Sequence, residues 1–338
     1  MNRCSMVWLQ SGGCGGCTLS LLTAESPDLI SWLEGEEIDL AYHPSLSAES
    51  DDAARATLQR YTEGSATLDI LCLEGAVMTG PNGTGLYHCQ SGSRRPMMDV
   101  IRELCQQARY VVAIGSCASW GGITSAPGND TDAVGLQFTG QIEGGLLPGD
   151  FLSRAGLPVI NIAGCPIHPG WVLDTLAELV AGRLTQNDLD ALNRPLLYSG
   201  VLAHHACPRN EFYEYKASAS APGQQGCLME HLGCKATQAH ADCNIRLWNG
   251  QGSCTRGGYA CISCTDPEWE EPGHAFERTP KLAGIPIGLP TDMPKAWFMA
   301  LSSLSKAATP KRLAHNAQDS RLSIPPAIRL RKRKGRHE

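Results

Sequence analysis

The sequence has no uninterrupted apolar run near the roughly eighteen residues that a membrane-spanning helix needs, so no transmembrane segment is expected. Its opening, MNRCSMVWLQ, lacks the charged-then-apolar pattern of a secretory signal and has no twin arginine. A cytoplasmic location is the expectation that follows. No internal repeat is present, which argues against repeat architectures. Neither sign of charge dominates: 28 Lys and Arg against 34 Asp and Glu leave a net charge of −6, which singles out no partner. The one strongly basic run, RLRKRKGRHE at the C-terminus, has no interleaved aromatic residues for base stacking, so nucleic acid is not expected as a partner. It reads as a solvated end, open to peripheral contact with an acidic protein or an anionic membrane surface.

What the sequence does have is cysteine, fifteen in 338 residues. In a reducing compartment that count points to metal or redox chemistry, and an odd number argues against a fully paired disulfide framework. The first half alternates apolar strands with helix-like segments. Strands are expected at SMVWLQ, IDLAYH, LDILCLEGAV, RYVVAIG and LPVINIAG, and helices at TLSLLTAESPDLISWL, RPMMDVIRELCQQA and GWVLDTLAELVAGRL. This alternation predicts an α/β fold, a doubly wound parallel sheet of flavodoxin-like form covered on both faces. Residues 1–190 form this expected unit, followed by an irregular cysteine-bearing unit at 191–275 and an extended segment with one helix, MPKAWFMALSSLSKA, at 276–338.

In such a sheet, right-handed crossovers bring the loops after the strands to one edge, where ligands bind. Cys14 and Cys17 follow the first strand, Glu74 the third, Cys117 the fourth and Cys165 the fifth. Four thiols at one edge suit one sulfur-rich tetrahedral set. The second unit supplies Cys243, Cys254, Cys261 and Cys264, then His204, Cys207, Cys227 and Cys234, two further sets of four. Each set matches the coordination number of a cubane cluster. Zinc is the alternative, although zinc modules usually pair two CxxC motifs within one short segment, whereas here the pairs 14/17 and 261/264 lie at opposite ends of the chain. Cys72 and Cys105 lie inside apolar patterns and read as core residues, while His43 and His168 read as turn histidines beside proline. Glu74 reads equally as part of a proton path or as the cap of a backbone turn.

From about Trp8 to about Pro267 the ordered motifs CGGCTLSLL, LEG, GSCASWGG, GCPIHP, HHAC, CLMEHLGCK and CISCTDP resemble the small, electron-transferring subunit of nickel–iron hydrogenases. The resemblance implies three 4Fe–4S clusters: proximal on Cys14, Cys17, Cys117 and Cys165, medial on Cys243, Cys254, Cys261 and Cys264, and distal on His204, Cys207, Cys227 and Cys234. The catalytic nickel–iron centre would sit in a partner large subunit, in an obligate heterodimer open to further oligomerisation. This chain would carry no catalytic residue of its own and would relay electrons from dihydrogen to an acceptor protein or quinone. Many family members have proline at the place of Cys254 and hold a three-iron medial cluster. The Cys227–Cys234 spacing is one residue wider than the commonest. The alternatives are a cluster-bearing part of another two-subunit oxidoreductase, such as a relative of the one in complex I, or a zinc-stapled binding module. CGGC and residues 203–264 count against the complex I relative, which has adjacent cysteines in its first motif and lacks the second unit.

Overall fold

The computed structural model describes residues 3–267, 269–270, 278–282, 285–286 and 295–318; the basic run at 329–338 lies outside the described residues. Five strands form one parallel sheet: β1 (Cys4–Gln10), β2 (Ile38–Tyr42), β3 (Leu68–Glu74), β4 (Ala108–Ile114) and β5 (Ile160–Ile162). Their order is β2-β1-β3-β4-β5. Every pair is parallel, with Met6 beside Ile70, Ile70 beside Tyr110 and Val112 beside Ile160. The chain therefore reverses direction across the sheet between β1 and β3, the switch point at which ligands of such folds bind.

Because side chains alternate along a strand, the sheet feeds two cores. Met6, Trp8, Ile70, Cys72, Val112 and Ile160 pack on one face against α1 (Gly16–Leu21), α2 (Leu29–Gly35) and α6 (Pro169–Val180). Val7, Leu9, Leu71, Leu73, Val111 and Ala113 pack on the other against α3 (Asp51–Thr62) and α4 (Met97–Gln107). Cys72 and Cys105 are fully buried in these cores, as their apolar settings imply.

The helix expected over 18–33 is two helices. Pro27 has no N–H to continue the ladder, and Asp28 starts α2 afresh by accepting from Ile30 N and Ser31 N at 3.0 Å each. α3 was not expected, because only Leu58 and Tyr61 of its twelve residues are buried and its apolar stripe is thin. A one-and-a-half-turn helix, α5 (Gly115–Trp120), follows β4.

After α6 the regular elements become short: α7 (Leu196–Ser199), α8 (Asn210–Glu214) and α9 (Met229–Leu232). The core here is small and alanine-rich, built on Ala203, Tyr213, Ala219, Met229, Leu232 and Ala236. It joins the sheet through polar links that compensate buried charge. Trp171 Nε1 donates to Asp242 at 2.6 Å, and Arg194 grips Asp190 at 2.7 Å and Asp266 at 2.5 Å. The expected C-terminal helix is present as α10 (Lys295–Ala307), followed by α11 (Lys311–Asn316). Among the described residues no helix is long and apolar enough to cross a membrane.

Candidate functional site

Parallel strands place Cys14, Cys17, Cys117 and Cys165 beyond the same edge of the sheet. Cys17 lies within electrostatic reach of Cys117 and Cys165, and Cys165 within reach of Cys117 and Cys14. Cys14 is exposed. The backbone is pressed close to these sulfurs: a Cβ on Gly115 would stand 2.6 Å from Cys17 Sγ, at a φ of +83° that disfavours side chains anyway. A Cβ on Gly122 would stand 3.0 Å from Cys117 Sγ.

Glu74 settles into one of its two expected geometries. Its Oε1 accepts from Cys17 N at 3.0 Å and Thr18 N at 3.1 Å, so it caps the first turn of α1. Its Oε2 accepts from Trp8 Nε1 at 3.2 Å, Gln10 Nε2 at 3.1 Å and the Thr18 hydroxyl. A buried carboxylate with five donors is held rather than mobile, and it fixes the loop that carries Cys14 and Cys17. His168 caps α6, its Nδ1 accepting from Gly170 N at 3.0 Å, as the turn reading implies. His43 stacks on Trp8 and meets the Thr18 hydroxyl at 3.3 Å.

Cys264 lies within reach of Cys243 and Cys254, and Cys261 within reach of Cys264 and Cys243. His204, Cys207, Cys227 and Cys234 line one small cavity. His205 does not line it; its Nδ1 accepts instead from Leu202 N at 3.4 Å. The sets touch each other through backbone. Cys261 N donates to Cys234 Sγ at 3.3 Å, and the Cys165 backbone lies near the Cys264 sulfur. The Ser116 hydroxyl donates to the Cys264 carbonyl and accepts from Gly164 N at 3.0 Å, tying the Cys117 and Cys165 loops to the Cys264 loop.

Burial pushes these thiols up, to about 11 for Cys165 and Cys234 and about 12 for Cys227 and Cys243, with Cys17, Cys261 and Cys264 also raised. The same burial raises the core thiols Cys72 and Cys105, so the shift reports depth, and any of these thiols would stand as a thiolate only beside a bound cation. Among the described residues no three of His, Cys, Asp and Glu converge closely enough to hold a single metal ion. A zinc ion would need its thiolates about 2.3 Å away from one point.

Sequence reasoning missed Arg209, although it stands two residues after Cys207. Its buried guanidinium donates to Thr255 O, Gln224 O and Gly226 O at 2.7 Å each, with Cys207, Cys227 and Cys234 nearby. It is a fixed positive charge beside the His204 set. Burial pulls its pKa down and the three thiols push it back up.

Two family models match the chain: NADH ubiquinone oxidoreductase, 20 Kd subunit, over residues 14–179, and the C-terminal region of the NiFe/NiFeSe hydrogenase small subunit over residues 199–277. The second match covers the part that a complex I relative would lack. The small subunit of F420 non-reducing hydrogenase I of Methanosarcina mazei is 36% identical over 78% of this chain and 72% of its own length. The periplasmic [NiFeSe] hydrogenase small subunit of Desulfomicrobium baculatum is 30% identical over 80% of this chain and 85% of its own. The actinobacterial-type NiFe-hydrogenase structure from Ralstonia eutropha aligns with a TM-score of 0.74 and 26% identity, covering 92% of this chain and 93% of that one.

The expected cytoplasmic location is corrected by these comparisons. Several relatives are named as periplasmic hydrogenase small subunits, which points away from the cytoplasm. The physical reason is that an export address is read and removed apart from the fold, so the opening residues of a sequence do not report where the folded domain works. Membership implies iron–sulfur clusters in this chain and a nickel–iron centre in its partner. By identity, coverage and fold together, the chain belongs to the small subunits of nickel–iron hydrogenases, the part of a hydrogenase complex that pairs with the large subunit and relays electrons.

Proposed function

We propose that this protein holds three 4Fe–4S clusters. Cys14, Cys17, Cys117 and Cys165 would hold the proximal one, Cys243, Cys254, Cys261 and Cys264 the medial one, and His204, Cys207, Cys227 and Cys234 the distal one. On this reading residues 1–190 carry the first set and 191–275 the other two. When bound, such clusters supply one-electron redox steps at low reorganisation cost.

The chain's own residues do the rest. Glu74 and Gly115 keep backbone close to the first set of sulfurs, and Arg209 opposes the charge of three thiolates at the last. The neutral donor His204 leaves that last set less negative than four thiolates would, which favours a higher potential there. The observation that carries the reading is the contact between sets. The Ser116 hydroxyl beside Cys117 donates to the Cys264 carbonyl, and Cys261 N donates to Cys234 Sγ at 3.3 Å, so hydrogen bonds tie consecutive sets together.

Around the first set, Leu19 (64% exposed), Leu22 and Ile123 stand in solvent, and Ile123 N donates toward the Cys117 sulfur. Apolar exposure ringing a redox site marks a partner surface. It supports docking of the large subunit here, with electrons leaving at the far end to an acceptor protein or quinone.

Metal and acid-labile sulfide analysis of the native complex tests the reading. The expected result is a brown protein with about twelve iron and twelve sulfide per small subunit. A colourless chain with stoichiometric zinc would refute it and favour a zinc-stapled module.

A further inference from the structure

A cleft of about 180 Å³ opens to solvent beside the His204 set. Tyr213, Cys227 and Met229 form a wall common to this cleft and to the cavity that gathers the four distal donors. Among the described residues the remaining lining carries Lys216, Lys281 and Lys306 against one carboxylate, Glu230. That carboxylate is already engaged by Lys281 at 2.5 Å and by the Ser218 hydroxyl at 2.8 Å. An ammonium has three donors, so Lys281 keeps two for a ligand. Lys216 places its ammonium 4.3 Å from the centroid of the Tyr213 ring, and that ring stands edge-on to His204 at 4.5 Å.

The far wall belongs to α10, which contributes Ser302, Ser303 and Lys306 and lies beyond the residues that either family model matches. The segment is seated firmly. The Thr309 hydroxyl donates to Tyr215 O at 2.8 Å, Arg312 pairs with Glu211, and Leu313 is fully buried.

We propose that this cleft binds a small anionic electron acceptor, an aromatic ring system bearing phosphate, carboxylate or sulfonate groups. The proposal rests on the distal assignment above. The ring would lie against Tyr213 and Met229, with the acid groups on the lysines. At about 180 Å³ and open on one side, the cleft admits part of a small molecule and is too confined for a folded partner. An acceptor of this class takes two electrons, one at a time, and two protons from solvent; dihydrogen oxidised in the complex supplies the electrons.

Titration calorimetry of the oxidised, intact complex with anthraquinone disulfonate, in the absence of dihydrogen, reads binding apart from turnover. The expected result is one site per small subunit, weakening as salt rises. Affinity should fall by about tenfold or more when Lys281→Gln and Lys306→Gln are combined. Ser303→Glu, on an exposed helix face, should weaken binding without touching a lysine. Unchanged affinity in these variants overturns the proposal. So does binding of an acidic polypeptide but not of the probe, which would make the cleft a protein-docking surface. A shift of distal potential with unaltered binding also overturns it, since the lysines would then only balance the thiolates. An EPR spectrum of the same preparation separates the two claims. A missing distal signal with intact binding refutes the ligand set, whereas a normal signal with no binding refutes the cleft alone.

Discussion

The sheet half and the cysteine-rich half carry the same kind of donor on very different supports. In the first, Cys17 and Cys117 project from the short helices α1 and α5, which follow strands whose side chains are almost wholly buried on two faces. In the second, eight donors hang on short helices and loops around a core of alanines and a few larger residues. A half that buries little apolar surface has little stability of its own and draws it from whatever its ligands bind. The difference teaches that the sheet half holds its cysteines on a core of its own, while the second half has little core beneath them.

Iron removal should therefore split the molecule, and this is the largest effect expected. Anaerobic chelation of the complex followed by hydrogen exchange should strip protection from residues 203–264 while β1, β3 and β4 stay protected. Equal loss in both halves would erase the distinction.

Next in size is the seam. Arg194→Ala leaves Asp190 and Asp266 as partly buried carboxylates without their shared cation, and should cost about 3–5 kcal/mol in denaturant midpoint analysis. Arg194→Lys should recover only part, since one ammonium cannot reach both acids as the planar fork does.

A pH effect of similar origin lies at His168, packed between Trp171 and Trp248. Burial pulls its imidazole down from 6.5 to about 4. The unfolded chain takes up a proton below 6.5 while the folded chain stays neutral. This stability is therefore present above pH 6.5 and lost as pH falls towards 4, by roughly 3 kcal/mol at most. His168→Asn keeps the helix cap and should flatten that part of the stability–pH curve relative to the unaltered protein. Parallel curves for the two proteins would remove His168 as the cause.

The smallest effect on stability is Cys254→Pro, at an exposed position. It should leave the fold intact and convert the medial site to a three-iron cluster, read by EPR. An unchanged spectrum would remove Cys254 from the ligand set.

Much of this was legible in the residues themselves. Continuous apolar runs such as Met6–Leu9 and Ile70–Leu73 announced a sheet buried on both faces, and the CxxC and HxxC spacings marked the cysteines and histidine proposed as donors. α3 escaped because its stripe is thin, and the break before α2 because an apolar pattern on either side of Pro27 reads as continuous. Glu74 stayed ambiguous because its five donors come from Trp8, Gln10, Cys17 and Thr18, nearly sixty residues or more away in the chain.

The amino-acid order alone determined which side chains can bind iron, which strands can be covered on both faces, and where the regular half ends, because each depends on residue type and near-neighbour spacing. Only the tertiary structure decided that Glu74 caps a turn, that His204 rather than His205 lines a cavity with Cys207, Cys227 and Cys234, that Arg209 stands beside those thiols, and that α10 closes a lysine-lined cleft over Cys227. Those outcomes depend on distances between segments far apart in the chain, and such distances are set by packing.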